Sequence, residues 1–418
     1  MALKMLTLST HDSRFGGHAV EDSRHIDPKL YDNRIVTLYS LYGDSRYAIY
    51  PSPIFKFLYV YIIRPLSNLI HCGHIRAGFK GNINGLCNVD YSIVSAQRIL
   101  KKYGDVPDVI LLRWVDGFVS SKTVRDLYRL TNARIVWVFT DEYCLGTGCH
   151  YPCECTGFMD NCNNCPAATN PKYISKAFAK RREYYKNIAT VVVGPTSSCR
   201  KADISSLLSD AHKIIVKPHL SLCDYDRSES KERFGIDAGS FVIFIGASNI
   251  AEKRKGFSIF LEALAHINQQ IRDRRIVLLI AGNVQKELFD SYSNIDVIIS
   301  GFLSYDDLMK AYRASDIFVS SSIADSGPMM VNYSIECCTP VVSFDVGVAK
   351  DMVIPGKTGY IAKYKDSSDL AEGIMYFNNM SSLDLEEYRN NCRTLVIESE
   401  NNTSWYKDLY EYLNFGSA

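Results

Sequence analysis

Short apolar, β-branched runs alternate with amphipathic stretches along most of this chain, and that alternation restricts what it can fold into. The runs Met5–Leu8, Arg34–Leu38, Val109–Leu112, Ile135–Phe139, Val191–Val193 and Ile214–Val216 read as buried strands in the first half. In the second half the same reading applies to Phe241–Ile245, Ile276–Ile280, Val297–Ile299, Ile317–Val319 and Pro340–Phe344. Between them, stretches such as Ile93–Lys102, Phe257–Ile267, Asp306–Arg313 and Ser367–Phe377 have helical spacing. The alternation predicts an α/β chain of parallel sheets covered by helices on both faces. Pro218, the charge-rich run Asp224–Arg233 and Gly235 read as a linker between two such blocks. The expectation is two doubly wound, Rossmann-like domains, residues 1–217 and 218–402, facing across a cleft, with residues 403–418 returning to the first. Ligands would then bind at the carboxyl ends of the strands.

Composition removes several function classes. The 418 residues hold 47 Lys plus Arg against 46 Asp plus Glu, a balance that argues against nucleic-acid binding by phosphate neutralisation. Ile54–Ile70 is strongly apolar, but Lys56, Arg64 and Pro65 interrupt it and it falls short of the roughly 20 residues needed to cross a bilayer. It reads first as a core or interdomain helix, with membrane-surface contact or an apolar acceptor groove as the alternative. Met1–Thr10 lacks the pattern of a secretory signal, so a cytoplasmic, reducing setting is expected.

Two segments of the second half suit anionic ligands. In Phe241–Gly256 a buried strand ends in Gly246 and leads through Lys253, Arg254 and Lys255 to a helix. Gly246 permits close backbone approach, and the cations with the helix amino terminus match a diphosphate. The plainer reading is a solvated cationic loop. Asp325, Ser326 and Gly327 follow another strand and open another helix, where a carboxylate accepts sugar hydroxyls or simply caps the helix.

The 13 cysteines are an odd number in a long chain, which makes a disulfide framework a poor explanation. Six of them fall between residues 144 and 165. Cys149, Cys155, Cys162 and Cys165, with five, six and two residues between successive members, have spacing that suits a structural zinc site of four thiolates. Disulfides and unligated thiols remain alternatives, and Cys153 is a substitute for Cys155. Lys172–Lys186 carries six cations against one acid, which suits either an anionic lipid surface or a solvated helix face.

The blocks GASNIAEKRKGF, VLLIAGN, VIISGFLSYDDLMKAYRASDIFVSSS, DSGPMMVNYSIECCTPVVSFDVG and PGKTGYIA resemble, in order, the donor half of retaining family 4 glycosyltransferases of the two-Rossmann GT-B type. The resemblance covers roughly residues 190–415. The family signature is a Glu, seven residues and a second Glu. Aligned on Thr339-Pro340-Val341-Val342, those positions hold Asp325 and Tyr333. The resemblance assigns Asp325 to donor-sugar hydroxyls and Tyr333 to the place where the ribose is held. It assigns Lys255 to the donor diphosphate, with Arg254 standing in for the Arg that usually follows the strand glycine. Gly246, Gly282, Asn283, Gly301 and Leu303 fall where the family's loops bound the diphosphate and base, and Ser326 and Gly327 beside the donor. Gly16-Gly17, after the first strand, resembles the loop that closes over donor and acceptor, with His11, Asp12, His18 and His25 nearby.

The cysteine string is similar to an insertion in a subgroup that builds bacterial exopolysaccharide, capsule or O-antigen. That likeness spans residues 137–166 and puts Thr140 and Asp141 where the subgroup carries a His-Asp pair. Asp141 would orient an acceptor hydroxyl or cap the loop. Together these readings imply a retaining transferase that moves sugar from a UDP- or GDP-sugar to a glycan or lipid-linked saccharide, without a catalytic divalent metal, peripheral at the inner face of the cytoplasmic membrane. A sugar-nucleotide- or glycan-binding protein without catalysis and a nucleotide-sugar epimerase are the competing readings.

Overall fold

The computed structural model of the protein describes residues 2–12, 26–40, 48–63, 65–66, 90–247, 250, 252–270, 275–327, 329–402 and 404–416. Residues 1–216 with 403–418 form one compact unit, and residues 217–402 form a second. The first is built on seven parallel strands: β1 (Leu3–Ser9), β2 (Tyr31–Tyr39), β3 (Ala48–Tyr50), β4 (Val109–Leu112), β5 (Arg134–Val138), β6 (Thr190–Gly194) and β7 (His212–Ile215), in the order β3-β2-β1-β4-β5-β6-β7. The second has six: β8 (Phe241–Gly246), β9 (Ile276–Ala281), β10 (Ile295–Gly301), β11 (Ile317–Ser320), β12 (Val341–Phe344) and β13 (Gly359–Ala362), in the order β10-β9-β8-β11-β12-β13. Both are doubly wound Rossmann-like sheets, and strand order reverses between β1 and β4 and between β8 and β11.

The strand sequences explain this layering. In β4, Val109 and Leu111 enter one apolar cluster while Ile110 and Leu112 enter another, so successive side chains are buried on opposite faces. In β8, Phe241, Ile243 and Ile245 divide in the same way from Val242 and Phe244. Helices must therefore cover both faces of each sheet. One cover of the first sheet comes from the far end of the chain: Trp405, Tyr406 and Leu409 of the helix Trp405–Phe415 pack with Met5, Val109 and Val191. The Tyr31 hydroxyl donates to the Tyr406 carbonyl at 2.9 Å, and Arg113 donates to the Tyr406 hydroxyl at 3.1 Å.

Two strands, β3 and β13, were not expected from the apolar runs. In β13 the short run begins at Gly359, where a Cβ would come within 2.0 Å of the Val341 carbonyl, so the close pairing with β12 depends on a residue that reads as a loop former. The charged run at 224–233 is also more than a linker. Asp226 caps the helix Arg227–Arg233, and Arg227 bonds Asp316 at 2.8 Å and the carbonyls of Arg313 and Ser315.

The helix Met329–Glu336 holds the entry to the second unit. The Glu336 carboxylate accepts the Ser221 N–H at 3.2 Å and its carbonyl accepts the Cys223 N–H at 2.9 Å. Burial pushes the Glu336 carboxyl up to about 7.

Two measurements probe these packings. Leu409→Ala removes a fully buried side chain and is expected to lower stability by about 2–5 kcal/mol in a denaturant titration. Folded Glu336 keeps a proton that the unfolded chain releases near the ordinary value of 4.5, so its contribution to stability falls as pH rises from about 4.5 to about 7. Glu336→Gln is expected to flatten that part of the stability profile.

Candidate functional site

The site in the second unit is assembled at the switch between β8 and β11. After β8 the chain forms a tight turn over Lys253–Lys255 and reaches Gly256, whose φ is +64°. A Cβ at Gly256 would stand 1.9 Å from the Ser321 carbonyl oxygen, so glycine is required both by conformation and by the approach of the segment after β11. The two segments are laced together. Ile323 N–H donates to the Arg254 carbonyl at 2.8 Å, and the Ser321 hydroxyl donates to the Lys255 carbonyl at 2.8 Å.

This lacing brings three charged side chains to one point. Arg254 Nη1 and Lys255 Nζ both donate to Asp325 Oδ2 at 2.8 Å, and Gly327 N–H donates to Oδ1 at 3.2 Å. Burial opposes ionisation of Asp325, but Lys255 and then Arg254 outweigh it and hold the carboxyl below its ordinary value. Glu252 accepts from Arg254 Nε at 2.6 Å. The cluster therefore has two cations whose charge is met by carboxylates, next to the exposed Gly327 and the helix that starts at Met329. An incoming anion can exchange with Asp325 as their partner.

The neighbouring strand ends carry the other expected donor residues. Gly246 ends β8, where a Cβ would meet the Ala281 carbonyl and Met330 at 3.0 Å. Gly282 has φ +125° and its N–H donates to the Gly301 carbonyl at 2.7 Å, while a Cβ on it would lie 2.6 Å from the Ala247 carbonyl. Asn283 is exposed, Ser326 is buried, and Leu303 is half-buried against the same core as Tyr333. The Tyr333 ring meets Tyr305 edge-on at 5.9 Å, a pairing that Tyr305's place on a separate helix hides from sequence spacing.

At the carboxyl ends of β1, β4 and β5 the first unit holds a second polar group. Asp141 Oδ1 accepts the Tyr143 N–H at 3.1 Å, and Oδ2 pairs with His150 Nδ1. His150 stacks on Trp114 with centroids 4.3 Å apart, and its Nε2 lies 3.9 Å from Asp116 Oδ2. Thr10 binds both the Trp114 and Asp116 carbonyls. Asp141 is thus engaged with its loop and with His150, a residue the spacing argument did not single out because its partners lie 9 and 34 positions upstream. Asp12 accepts from the Ser40 hydroxyl at 2.5 Å, and the His11 ring is 6.0 Å from Tyr39. Gly16, Gly17, His18 and His25 lie outside the described residues.

Cys149, Cys155, Cys162 and Cys165 line one small cavity, together with Phe158 and Ile174, and Gly157 N–H donates to Cys155 Sγ at 3.5 Å. Among the described residues, however, no group of three or more His, Cys, Asp or Glu side chains is placed to hold a metal ion. Burial first, and the neighbouring cysteines second, raise the thiols of Cys149 and Cys162, the latter to about 12, which favours neutral sulfur. Cys149, Cys155, Cys162 and Cys165 are not joined by disulfides. The helix Pro171–Tyr185 keeps Lys172, Lys176 and Lys180, at i, i+4 and i+8, exposed on one face, and only one of the segment's cations is withdrawn from it. Arg181 is fully buried, donating to the Gly146 carbonyl at 2.6 Å and to the Tyr185 hydroxyl at 3.2 Å, and Arg182 bonds Ser206 at 2.8 Å. Five of the six cations in Lys172–Lys186, Arg182 included, are exposed, and Arg181 is the one that is buried beneath the insertion.

Residues 226–394 match the family model described as glycosyl transferases group 1. An alpha-D-kanosaminyltransferase of Streptomyces kanamyceticus is 25% identical over 155 residues, 35% of this chain and 39% of the relative. A phosphatidyl-myo-inositol mannosyltransferase of Mycobacterium leprae is 29% identical over 141 residues, 33% of this chain and 37% of the relative. The matched part spans about two fifths of the length of these curated relatives. Among solved structures, sucrose-phosphate synthase of Thermosynechococcus elongatus superposes with a TM-score of 0.64 at 14% identity, covering 99% of this chain and 100% of its own. Anabaena Alr3699/HepE in complex with UDP and glucose superposes with a TM-score of 0.60 at 14% identity, covering 98% and 99%. Residues 226–394 thus carry the pattern of the group 1 glycosyl transferases, on a chain whose fold is that of the GT-B glycosyltransferases.

Proposed function

We propose that the protein is a retaining glycosyltransferase that moves a sugar from a nucleoside-diphosphate sugar to a hydroxyl of a glycan or lipid-linked saccharide in the assembly of a bacterial surface polysaccharide. The observation that carries this reading is Asp325 held between Arg254 and Lys255 at the β8/β11 switch. A diphosphate entering there replaces Asp325 as the partner of the two cations. The freed Asp325 oxygen then accepts hydroxyls of the sugar attached to that diphosphate. Lys255 and Arg254 stabilise the diphosphate as the anomeric C–O bond breaks and the electron pair leaves with the phosphate oxygen. The acceptor oxygen bonds the anomeric carbon on the same face, and its proton passes to the departing phosphate. Gly246, Gly282 and Gly301 keep the strand ends open to the nucleotide, with Asn283, Leu303, Ser326, Gly327 and Tyr333 around it. The UDP complex of the Anabaena structural neighbour supports testing uridine donors first.

Transfer and donor hydrolysis measured with a panel of UDP- and GDP-sugars test this reading. Lys255→Ala and Asp325→Ala are each expected to lower kcat/KM by about 10²–10³, with nucleotide binding weakened in the lysine variant. Nucleotide binding without turnover of any donor, unchanged by Asp325→Ala, would instead favour a binding module, and donor isomerisation without acceptor would favour an epimerase. Gly256→Ala is expected to lose activity as the turn is pushed off Ser321, visible as a lower Tm together with weaker donor binding.

A further inference from the structure

Cys223 and Cys337, far apart in the chain, meet where the segment after residue 217 enters the second unit. The Cys223 N–H donates to the Glu336 carbonyl at 2.9 Å and the Ser221 N–H to the Glu336 carboxylate at 3.2 Å, so this segment runs along the end of the helix Met329–Glu336. A main-chain bond to the residue before Cys337 sets the two α-carbons about one strand spacing apart, a separation that a disulfide spans. Their sulfurs are partners, with the Cys337 thiol donating to Cys223 Sγ. Arg313 clamps the same place from the neighbouring helix, with Nε on the Tyr225 carbonyl at 2.9 Å and Nη1 on the Cys337 carbonyl at 3.1 Å. Both cysteines are free thiols.

The two thiols differ in access and in acidity. Cys337 is fully buried, with its Sγ 3.5 Å from the Met309 carbonyl and 3.7 Å from the Met309 sulfur, whereas Cys223 is half-buried. The hydrogen bond from Cys337, supported by the Tyr225 N–H and the Arg313 charge, outweighs burial and pulls the Cys223 thiol down to about 7, while burial pushes Cys337 up. Glu336, Tyr225, Tyr305 and Cys338 are the other titratable groups that face the pair. A nucleophilic thiolate within reach of an oxidant, backed by a second thiol that stays protonated, is the arrangement of a reactive dithiol. We infer that Cys223 and Cys337 form a redox-active pair, in which Cys223 attacks a peroxide and Cys337 closes a disulfide with it. The Cys223 sulfur bonds one peroxide oxygen as the O–O bond breaks, and the departing hydroxide takes up the proton that Cys223 released, giving water and a sulfenic acid. The Cys337 sulfur then attacks the Cys223 sulfur. The S–S bond forms, the S–O bond breaks, and the displaced hydroxide leaves with the Cys337 proton as a second water. Two thiols are thereby oxidised and one peroxide is reduced. The disulfide staples the segment entering the second unit to the end of the helix that carries Tyr333. This inference is independent of the transfer chemistry proposed above.

Hydrogen peroxide added to the reduced full chain, followed by alkylation and peptide mass spectrometry, tests it. A cross-linked peptide joining Cys223 to Cys337 is expected, two hydrogens lighter than the reduced peptides together and lost on treatment with dithiothreitol. Cys337→Ala is expected to leave Cys223 as a sulfenic acid that dimedone traps, and Cys223→Ser to abolish the cross-link. In the reduced chain, alkylation of Cys223 by iodoacetamide is expected to accelerate with pH around a midpoint of about 7, and that midpoint to rise in Cys337→Ala, a shift that a purely structural role for Cys337 would not produce. Circular dichroism, unchanged in the reduced variants, separates lost thiol chemistry from lost fold. Peroxide treatment of the wild-type chain that leaves Cys223 and Cys337 as thiols, or that joins Cys223 to Cys338 instead, would overturn the inference. An alkylation midpoint that Cys337→Ala does not move would overturn it as well.

Discussion

Each sheet of this protein buries both of its faces, and most of its architecture follows from that. A strand such as β4 or β9, buried at every position, has no side to offer water. Helices have to lie on both sides, the chain must cross over between parallel strands, and strand order must reverse somewhere in each sheet. That reversal leaves an opening at the carboxyl ends of β8 and β11, which is where the charged cluster forms. The requirement is strong enough to bring residues 404–416 back to the first unit, where Trp405, Tyr406 and Leu409 cover a face that the preceding 216 residues leave uncovered.

The ion cluster depends on backbone contacts more than on its own charges. Two cations and Asp325 meet because Gly256 lets the turn press against Ser321 and because the Arg254 and Lys255 carbonyls are bonded from the segment after β11. The net energy of a largely buried ion pair is small once desolvation is subtracted, so the packed backbone keeps the charges in place. Asp325 is held ionised by the same cations that would leave it for a diphosphate. A group of this kind suits an anionic ligand because the empty site is electrically satisfied.

Much of the second unit was legible in the amino-acid order. Strands β8 and β9 are apolar runs, β11 and β12 mostly so, and Gly246, Lys255 and Asp325 lie at or after the carboxyl ends of β8 and β11, as the spacing predicts. The terms that failed are those in which one side chain's surroundings come from distant segments. Arg181 reads as one cation in a basic helix, yet it is enclosed by Gly146, Tyr143 and Tyr185. His150 reads as one residue of a cysteine string, yet it joins Asp141 to the loop that follows β4. The four cysteines have local spacing that suits a metal, yet among the described residues their sulfurs face a small apolar cavity without ligand geometry.

Periodicity and strand-end glycines by themselves determined the parallel α/β class and where along the chain the loops after β8 and β11 would lie, because both depend on local backbone preferences and on which faces must leave water. Which charges meet, and which apolar residues remain outside, only the tertiary structure decided. Asp325 lies 70 and 71 residues from its cationic partners, and the apolar run at 54–63 has the composition of a buried helix while facing solvent. Contacts of that range follow from how the elements pack, and hydrophobicity in a linear sequence carries no label for the side of a helix on which the core will form.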